Sequence, residues 1–292
     1  MGQAPTILRP EDMARLANYR FAVRMMAEGW LNGRHRARGR GSSSDFLEYR
    51  AYAPGDDAKL LDWRVFARTD RLQLRTFEHE THLECHLFVD SSASMAFREY
   101  ASISKLQYAS HFAACVAWLV VRGHDRVALQ LFDEKVRHFV QPGTTAAHLN
   151  RCLSLLEHNT AGGHTDLPQA LGRSKGLIQR PVTLMIVSDF LCDMDALQAA
   201  LNPYIHLGCK VVLVQVLDRG ELSLSGQGLA RFVDMESGER IICNPDELRN
   251  MYSERMRAVQ QRMQAMCVAR GMLYLSTTTD SSFYPLLDAL AR

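Results

Sequence analysis

An aspartate and two serines stand at alternate positions directly after an apolar run, in the stretch LECHLFVDSSASM at residues 83–95. These oxygen-bearing residues are Asp90, Ser92 and Ser94. An apolar run that ends in small polar residues is typical of a buried strand that reaches the edge of a sheet. One carboxylate with two hydroxyls suits a hard cation such as Mg²⁺ better than zinc or copper. The stretch therefore predicts part of a magnesium site or the nucleophile loop of a phosphotransferase.

Two later segments carry further oxygen ligands. Residues 182–187 predict a second buried strand, which ends in Ser188-Asp189, and Thr165 follows two glycines at the start of a helix. Loops at the carboxyl ends of the central strands of a doubly wound sheet converge on one crevice. A helix cap at Thr165 and a turn residue at Asp189 are the simpler interpretations of those two positions. We favour a site for Mg²⁺, with Mn²⁺ or Ca²⁺ as alternatives, whose ligands are Asp90, Ser92, Ser94, Thr165 and Asp189.

The elements that must position these residues alternate between strand and helix patterns from Leu83 onward. This alternation predicts an α/β fold with a doubly wound, mostly parallel sheet and helices on both faces. Residues 126–132 and 135–140 predict a hairpin that places one antiparallel strand at a sheet edge. We expect an N-terminal extension over residues 1–79, a main domain over 80–292, and an inserted β-hairpin at about 219–244.

Composition excludes some classes of protein and leaves others open. The formal net charge of +2 does not indicate a partner, and no apolar run has the length of a transmembrane segment. The first residues lack the charged and apolar regions of a secretion signal. The seven cysteines are odd in number and lie mostly in apolar periodic segments, which predicts free thiols. We therefore expect a cytoplasmic protein without a membrane span.

A basic stretch at residues 33–41 is a weak candidate for nucleic-acid binding. Its sequence, GRHRARGRG, alternates arginines with glycines, and no aromatic residue is available for base stacking. A solvated loop is the simpler interpretation. The arginines concerned are Arg34, Arg36, Arg38 and Arg40.

Acidic and histidine side chains before the first strand superficially resemble a zinc site. They share no fixed ligand spacing, so a polar face on the approach to the strand is the preferred interpretation. The residues are Glu78, Glu80, His82, Glu84 and His86.

Two motifs resemble known families. The run at residues 90–94, with Thr165 and Asp189, is similar to the metal-ion-dependent adhesion site of von Willebrand factor type A domains, over about residues 80–292. The preceding segment resembles the signature of the bacterial domain of unknown function 58 family. The matching residues are Ser44-Asp45-Phe46, Arg50, Tyr52, Pro54-Gly55-Asp56-Asp57, Asp62-Trp63 and Ala67-Arg68.

This resemblance implies a type A domain without catalytic activity, whose bound metal receives an acidic residue from a partner protein. It also implies a MoxR-type AAA+ ATPase as partner and a role in chaperone-like assembly or maturation of other proteins. Many relatives carry N-terminal membrane helices, for which this sequence has no pattern. The alternative is a Mg²⁺-dependent phosphotransferase or hydrolase with Asp90 as nucleophile. Ser92 argues against it, because such enzymes usually need a second acid at that position.

Overall fold

The computed structural model describes residues 7–8, 10–16, 45–52, 61–78 and 83–291. The chain divides into two compact units, one formed by Met1–Trp30 with Leu83–Arg292 and the other by Leu31–His82. The predicted division into an extension over 1–79 and a domain over 80–292 stays a prediction.

Several predicted features lie outside the described residues. They are the arginine stretch with Arg34, Arg36, Arg38 and Arg40, the start of the family signature at Ser44, the turn Pro54-Gly55-Asp56-Asp57, and Glu80 and His82.

The helices and strands of the described residues alternate along most of the chain. In chain order they are α1 Pro10–Leu16, β1 Asp45–Ala51, α2 Trp63–Thr69, β2 Gln73–Glu78, β3 Glu84–Asp90, α3 Lys105–Arg122, β4 Arg126–Phe132, β5 Val136–Gly143, α4 Ala146–Glu157, α5 Leu167–Ser174, β6 Thr183–Ser188, α6 Met194–His206, β7 Lys210–Leu217, α7 Arg219–Ser223, β8 Ala230–Val233, β9 Arg240–Cys243, α8 Pro245–Ala269, β10 Leu273–Thr278 and α9 Tyr284–Ala291.

The smaller unit is built on β1 and β2, which pair antiparallel. Asp62 begins α2 between them: its carboxylate accepts the backbone N–H groups of Arg64 and Val65 at 2.9 and 3.2 Å. This is the usual cap of a helix N-terminus, where backbone donors lack partners within the helix. A bridge between Leu61 and Leu74 ties the start of this segment to β2.

The larger unit is organised around a six-stranded sheet with the strand order β10-β7-β6-β3-β4-β5. Neighbouring strands are parallel except β4 and β5, so β5 is the antiparallel edge strand that the sequence predicted. The predicted doubly wound, mostly parallel sheet is confirmed. The order along the sheet reverses between β3 and β6, and a crevice opens at the carboxyl ends of strands at such a point.

Both faces of this sheet are covered by helices. On β3 the side chains of Cys85, Leu87 and Val89 join a core with α1, α3, α4 and α9. Phe88 points to the opposite face and joins a core with α5, α6 and α8. All seven residues of β3 are buried. This strand is therefore the centre of the unit, and its carboxyl end is fixed by packing on both sides.

The inserted hairpin consists of β8 and β9, which form a two-stranded antiparallel sheet of their own. The inserted β-hairpin that the sequence predicted is therefore confirmed. Within the described residues, no helix combines the length and the apolar character needed to cross a membrane.

Candidate metal centre

The loop after β3 folds its polar side chains inward. Asp90 and Ser92 are fully buried and Ser94 is 7% exposed. One carboxylate oxygen of Asp90, Oδ1, accepts the backbone N–H of Ser92 at 2.9 Å, which turns the chain sharply at the end of the strand. The hydroxyls of Ser92 and Ser94 then lie 3.1 Å apart. The three residues predicted from the first motif therefore form one buried polar cluster.

A second loop is held against the first by backbone hydrogen bonds. Gly162 N–H donates to Ser91 O and Ala93 N–H donates to Gly163 O, both at 2.9 Å. Gly163 has φ of +76°, and a Cβ there would lie 2.8 Å from Oδ2 of Asp133, so this position requires glycine. These contacts bring the hydroxyl of Thr165, the fourth predicted ligand, to 3.5 Å from both carboxylate oxygens of the aspartate at the end of β3.

The third loop follows β6, the neighbour of β3, and brings Asp189 to the cluster. Oδ2 of this fully buried carboxylate accepts the hydroxyl of Ser94 at 2.8 Å. The preceding Ser188 donates its hydroxyl to Oδ2 of Asp90 at 2.7 Å. All five predicted ligand residues thus meet at the reversal point of the sheet. Their role as metal ligands stays a prediction.

A lysine that was not among the predicted ligands lies beside the cluster. Lys105, at the start of α3, is fully buried. Its Nζ donates to Asp189 Oδ2 at 2.8 Å and to Glu221 Oε1 at 2.5 Å. Glu221 belongs to α7, whose N-terminus it helps to cap by accepting the backbone N–H of Asp218 at 2.7 Å. One internal cation therefore links a predicted metal ligand to the loop after β7.

The cluster has an excess of negative charge. Burial, together with the nearby charge of Asp189, raises the pKa of Asp90 to about 7, and hydrogen bonds from Ser188 and Ser92 only partly oppose this. Burial acts to lower the pKa of Lys105, but the carboxylates of Asp189 and Glu221 outweigh it and raise that pKa. The lysine therefore stays charged, and Asp90 is the carboxylate whose charge lacks full compensation.

The superficial resemblance to a zinc site gains no support from Glu84 and His86, the two residues of that group whose side chains the structure describes. Glu84 and His86 are buried at the amino end of β3, where Oε1 of Glu84 lies 2.8 Å from Nε2 of His86. Arg180 also donates to Glu84. In the part of the chain that the structure describes, no three His, Cys, Asp or Glu side chains are grouped so that they could hold a metal ion. A metal at the Asp90 cluster would therefore depend on hydroxyl ligands as well as carboxylates.

Sequence reasoning missed two residues at the site because each belongs to a distant segment. Lys105 lies at the start of an apolar helix pattern, and a lysine at such a position usually faces solvent. Glu236 lies in the tip of the inserted hairpin, and its carboxylate contacts Thr165. The capping pattern Asp218-x-x-Glu221 was visible in the sequence, but it indicates a helix start and nothing about a lysine.

Comparison with known proteins gives a family match and several more distant similarities. The model of the family described as "Protein of unknown function DUF58" matches residues 48–262. The uncharacterized protein Rv1480 of Mycobacterium tuberculosis is 28% identical over 250 residues, which are 81% of this chain and 78% of that protein.

Two solved structures are similar at low sequence identity. BatB from Bacteroides thetaiotaomicron is 12% identical with a TM-score of 0.46, covering 72% of this chain and 95% of that one. An aerotolerance-related membrane protein from Bacteroides fragilis is 16% identical with a TM-score of 0.46, covering 71% and 96%.

Proposed function

This chain belongs to the DUF58 family, and we propose that it is a non-enzymatic protein-interaction module. Its cluster of two carboxylates and three hydroxyls binds Mg²⁺, and the bound ion receives an acidic residue from a partner protein. The observation that supports this most directly is the convergence of Asp90, Ser94, Thr165 and Asp189 from three separate loops at the reversal point of the sheet.

The donor set fits a hard divalent cation. It consists entirely of oxygen atoms, which Mg²⁺ prefers, and Mn²⁺ or Ca²⁺ would accept the same atoms. Lys105 pairs with Asp189, whereas Asp90 accepts from the neutral donors of Ser92 and Ser188, and the uncompensated negative charge is reflected in the raised pKa of Asp90. A cation bound here would offset the negative charge of the two carboxylates and would offer an acidic partner a positive centre.

The partner in this proposal is a MoxR-type AAA+ ATPase, and the process is chaperone-like assembly or maturation of other proteins. Both are implied by the family resemblance described under Sequence analysis and not by the site. A cytoplasmic location is part of the same proposal. It agrees with seven free cysteines, since Cys85, Cys115, Cys152, Cys209 and Cys267 are buried as thiols and Cys192 and Cys243 are partly exposed.

Metal binding can be measured by titration calorimetry and by thermal unfolding in Mg²⁺ and in EDTA. We expect Mg²⁺ to stabilise the protein by about 2–3 kcal/mol at one hundred times its dissociation constant. The variant Asp90→Ala should lose this response, while Asp288→Ala, at an exposed aspartate of α9, should keep it. Equal unfolding curves in Mg²⁺ and EDTA for the unmodified protein would overturn the metal site.

The partner can be tested with a purified MoxR-type ATPase from the same genome. We expect binding in Mg²⁺ that disappears in EDTA and in Asp90→Ala. Binding that is equally strong in all three conditions would show that the interaction does not use this site.

One observation favours the enzymatic alternative. The buried Lys105 lies beside Asp189, and a lysine ammonium next to a cation site can bind a phosphate oxygen of a substrate. Against it, Asp90 is fully buried and both its oxygens accept hydrogen bonds, from Ser92 and Ser188, so it is poorly placed for attack on a substrate. Hydrolysis of a simple phosphate ester that Asp90→Asn abolishes would support the enzyme.

A further inference from the structure

The tip of the inserted hairpin lies against the predicted metal centre. Oε2 of Glu236 accepts the backbone N–H of Thr165 at 3.0 Å, and Nδ1 of His164 lies 3.9 Å from the same oxygen. The other carboxylate oxygen, Oε1, is buried and has no hydrogen-bond partner in the part of the chain that the structure describes. A carboxylate with one oxygen bonded and the other enclosed is held in a defined place and is not simply a solvated side chain.

The hairpin is shaped so that this one carboxylate faces inward. Asp234 accepts the backbone N–H groups of Glu236 and Ser237 at 2.7 and 2.8 Å, which folds the tip. Gly238, with φ of +73°, completes the turn. The remaining tip residues, 234, 235 and 237–239, are exposed, whereas the side chain of Glu236 is only 22% exposed.

Thr165 connects the hairpin carboxylate to the predicted ligands. Its backbone N–H binds Glu236, and its hydroxyl lies 3.5 Å from both oxygens of Asp90. It is also the predicted ligand with the most exposed surface, since Asp90 and Asp189 are fully buried. The side of Thr165 is therefore the approach to the cluster, and a partner's acidic residue would arrive where the hairpin now lies.

Glu236 lies at the edge of this approach, where it contacts Thr165. Within the described residues, it does not form a metal-binding group of three with Asp90 and Asp189. The conformation is thus one in which an acidic side chain of the protein's own occupies the entrance while the predicted ligands contact one another.

We propose that Glu236 is an internal substitute for the partner's acidic residue: it closes the site, and a partner binds by displacing it. This inference rests on the proposed function and adds a form of regulation to it. Among the described strands, β8 and β9 pair only with each other, so the hairpin can move without disrupting the main sheet. A two-stranded hairpin is only marginally stable alone, so its displacement has a small energetic cost.

The competition can be measured with a peptide probe. The probe is a fluorescent cyclic peptide that copies residues 230–243, including its glutamate, and binding is followed by fluorescence anisotropy of the full chain in Mg²⁺. A tethered carboxylate competes at a millimolar effective concentration. We therefore expect Glu236→Gln to bind the peptide about tenfold more tightly than the unmodified protein.

The matched control is Glu239→Gln, at the exposed glutamate of the same tip, which should bind the peptide like the unmodified protein. The inference is overturned if Glu236→Gln and the unmodified protein bind the peptide equally, or if neither binds it although calorimetry shows bound Mg²⁺. If calorimetry shows no Mg²⁺ binding to any of these proteins, the proposed function itself fails.

Hydrogen exchange gives a second test that does not depend on a variant. Adding saturating peptide to the unmodified protein in Mg²⁺ should speed amide exchange at residues 234–239, because the internal tip is released. Unchanged exchange at these amides under saturation would show that the peptide and the tip do not compete.

Discussion

At the scale of single residues, the site balances two buried carboxylates against one lysine. Asp189 shares its Oδ2 between Lys105 and Ser94, at 2.8 Å each, whereas the donors to Asp90 among the described residues are neutral. Buried charge is costly unless it is paired, and Asp90 carries that cost in the metal-free protein. The lysine and a bound cation would therefore both offset the negative charge of these two carboxylates, the lysine permanently and the cation reversibly.

The variant Asp90→Asn tests whether the uncompensated charge of Asp90 destabilises the folded protein. Burial and Asp189 raise the pKa of Asp90 from its usual value to about 7 in the folded protein. The folded state therefore holds the proton more tightly than the unfolded state, and this carboxyl lowers stability as pH rises from about 4 to about 7. In EDTA at pH 8 we expect the variant to be more stable by about 1–3 kcal/mol.

Urea unfolding at several pH values provides the measurement. The difference between the two proteins should be small near pH 4 and should grow towards pH 7, and Mg²⁺ should stabilise only the unmodified protein. An asparagine variant that is less stable than the unmodified protein at pH 8 in EDTA would contradict the conclusion that the buried charge of Asp90 destabilises the folded protein.

The variant Lys105→Met tests the internal cation. Its removal leaves Asp189 and Glu221 without their common partner, and loss of one member of a buried ion group costs about 3–5 kcal/mol. Mg²⁺ should recover part of this loss, because it would compensate Asp189. The measurement is urea unfolding in EDTA and in Mg²⁺.

Lys135→Met is the control, at a lysine whose side chain is 62% exposed. It should change stability by less than about 0.5 kcal/mol. If Lys105→Met cost no more than this control, the lysine would not be the counter-charge of the site.

At the scale of elements, the loops after three neighbouring strands are joined by side-chain hydrogen bonds. The loop after β7 depends on Asp218, a fully buried carboxylate. It accepts hydrogen bonds from the backbone N–H groups of Glu99, Tyr100 and Gly220 and from the hydroxyl of Thr279. One side chain therefore holds together α7, the segment before α3 and the end of β10. Asp218 also caps α7, the helix that carries Glu221 to Lys105.

Asp218→Asn should weaken this junction in a pH-dependent way. Burial alone would raise the pKa of Asp218, but the hydrogen bonds from Gly220, Glu99 and Tyr100 outweigh it and lower that pKa. The carboxylate therefore contributes stability above about pH 4, and this contribution is lost as pH falls below its unfolded pKa. We expect a loss of about 2 kcal/mol at neutral pH.

Thermal unfolding from pH 3 to pH 7 measures this effect against Asp288→Asn, which alters an exposed carboxyl of α9. The deficit of Asp218→Asn should shrink as the medium becomes acidic. A deficit that is constant over this range would indicate lost packing instead of lost charge.

The sequence predicted the elements of the main sheet well because burial on both faces leaves a clear apolar pattern. The strand predicted over residues 126–132 has the observed bounds of β4, and the edge hairpin and the inserted hairpin were recognised. Helix starts leave a weaker signal, because a single capping contact sets them: Ser104 accepts the N–H of Gln107 at 3.2 Å and begins α3 at Lys105.

The five predicted ligand residues could be named in advance because each follows a strand or a glycine pair. Contacts with Lys105 and Glu236 could not, since they join segments 84 and 71 residues apart in the chain. Such pairs leave no periodic signal in one sequence. Only the packed structure reveals them.

At the scale of the whole molecule, the first helix completes the core of the larger unit. Leu16 of α1 is fully buried in the same core as Leu286 and Leu290 of α9. The guanidinium of Arg15 lies 4.3 Å from the ring centre of Tyr284, close enough for a cation–π interaction. Residues before and after the smaller unit therefore belong to one folded body.

Leu16→Ala should destabilise this body by about 2–4 kcal/mol, because it creates a cavity between α1 and the rest of the core. Glu11→Ala, at an exposed position of the same helix, should have little effect. Chemical unfolding followed by far-UV circular dichroism measures both. Equal stability of the two variants would mean that α1 does not complete the core.

The strand order also has a consequence for synthesis. β3 pairs with β4 soon after both leave the ribosome, but its other neighbour, β6, begins only at Thr183. At a translation rate of about 5–20 residues per second, one edge of the central strand stays unpaired for on the order of ten seconds. An open, apolar strand edge invites association with other nascent chains. Asp90 meets Asp189 only after this interval, so a nascent chain that ends before Asp189 cannot assemble the predicted ligand set.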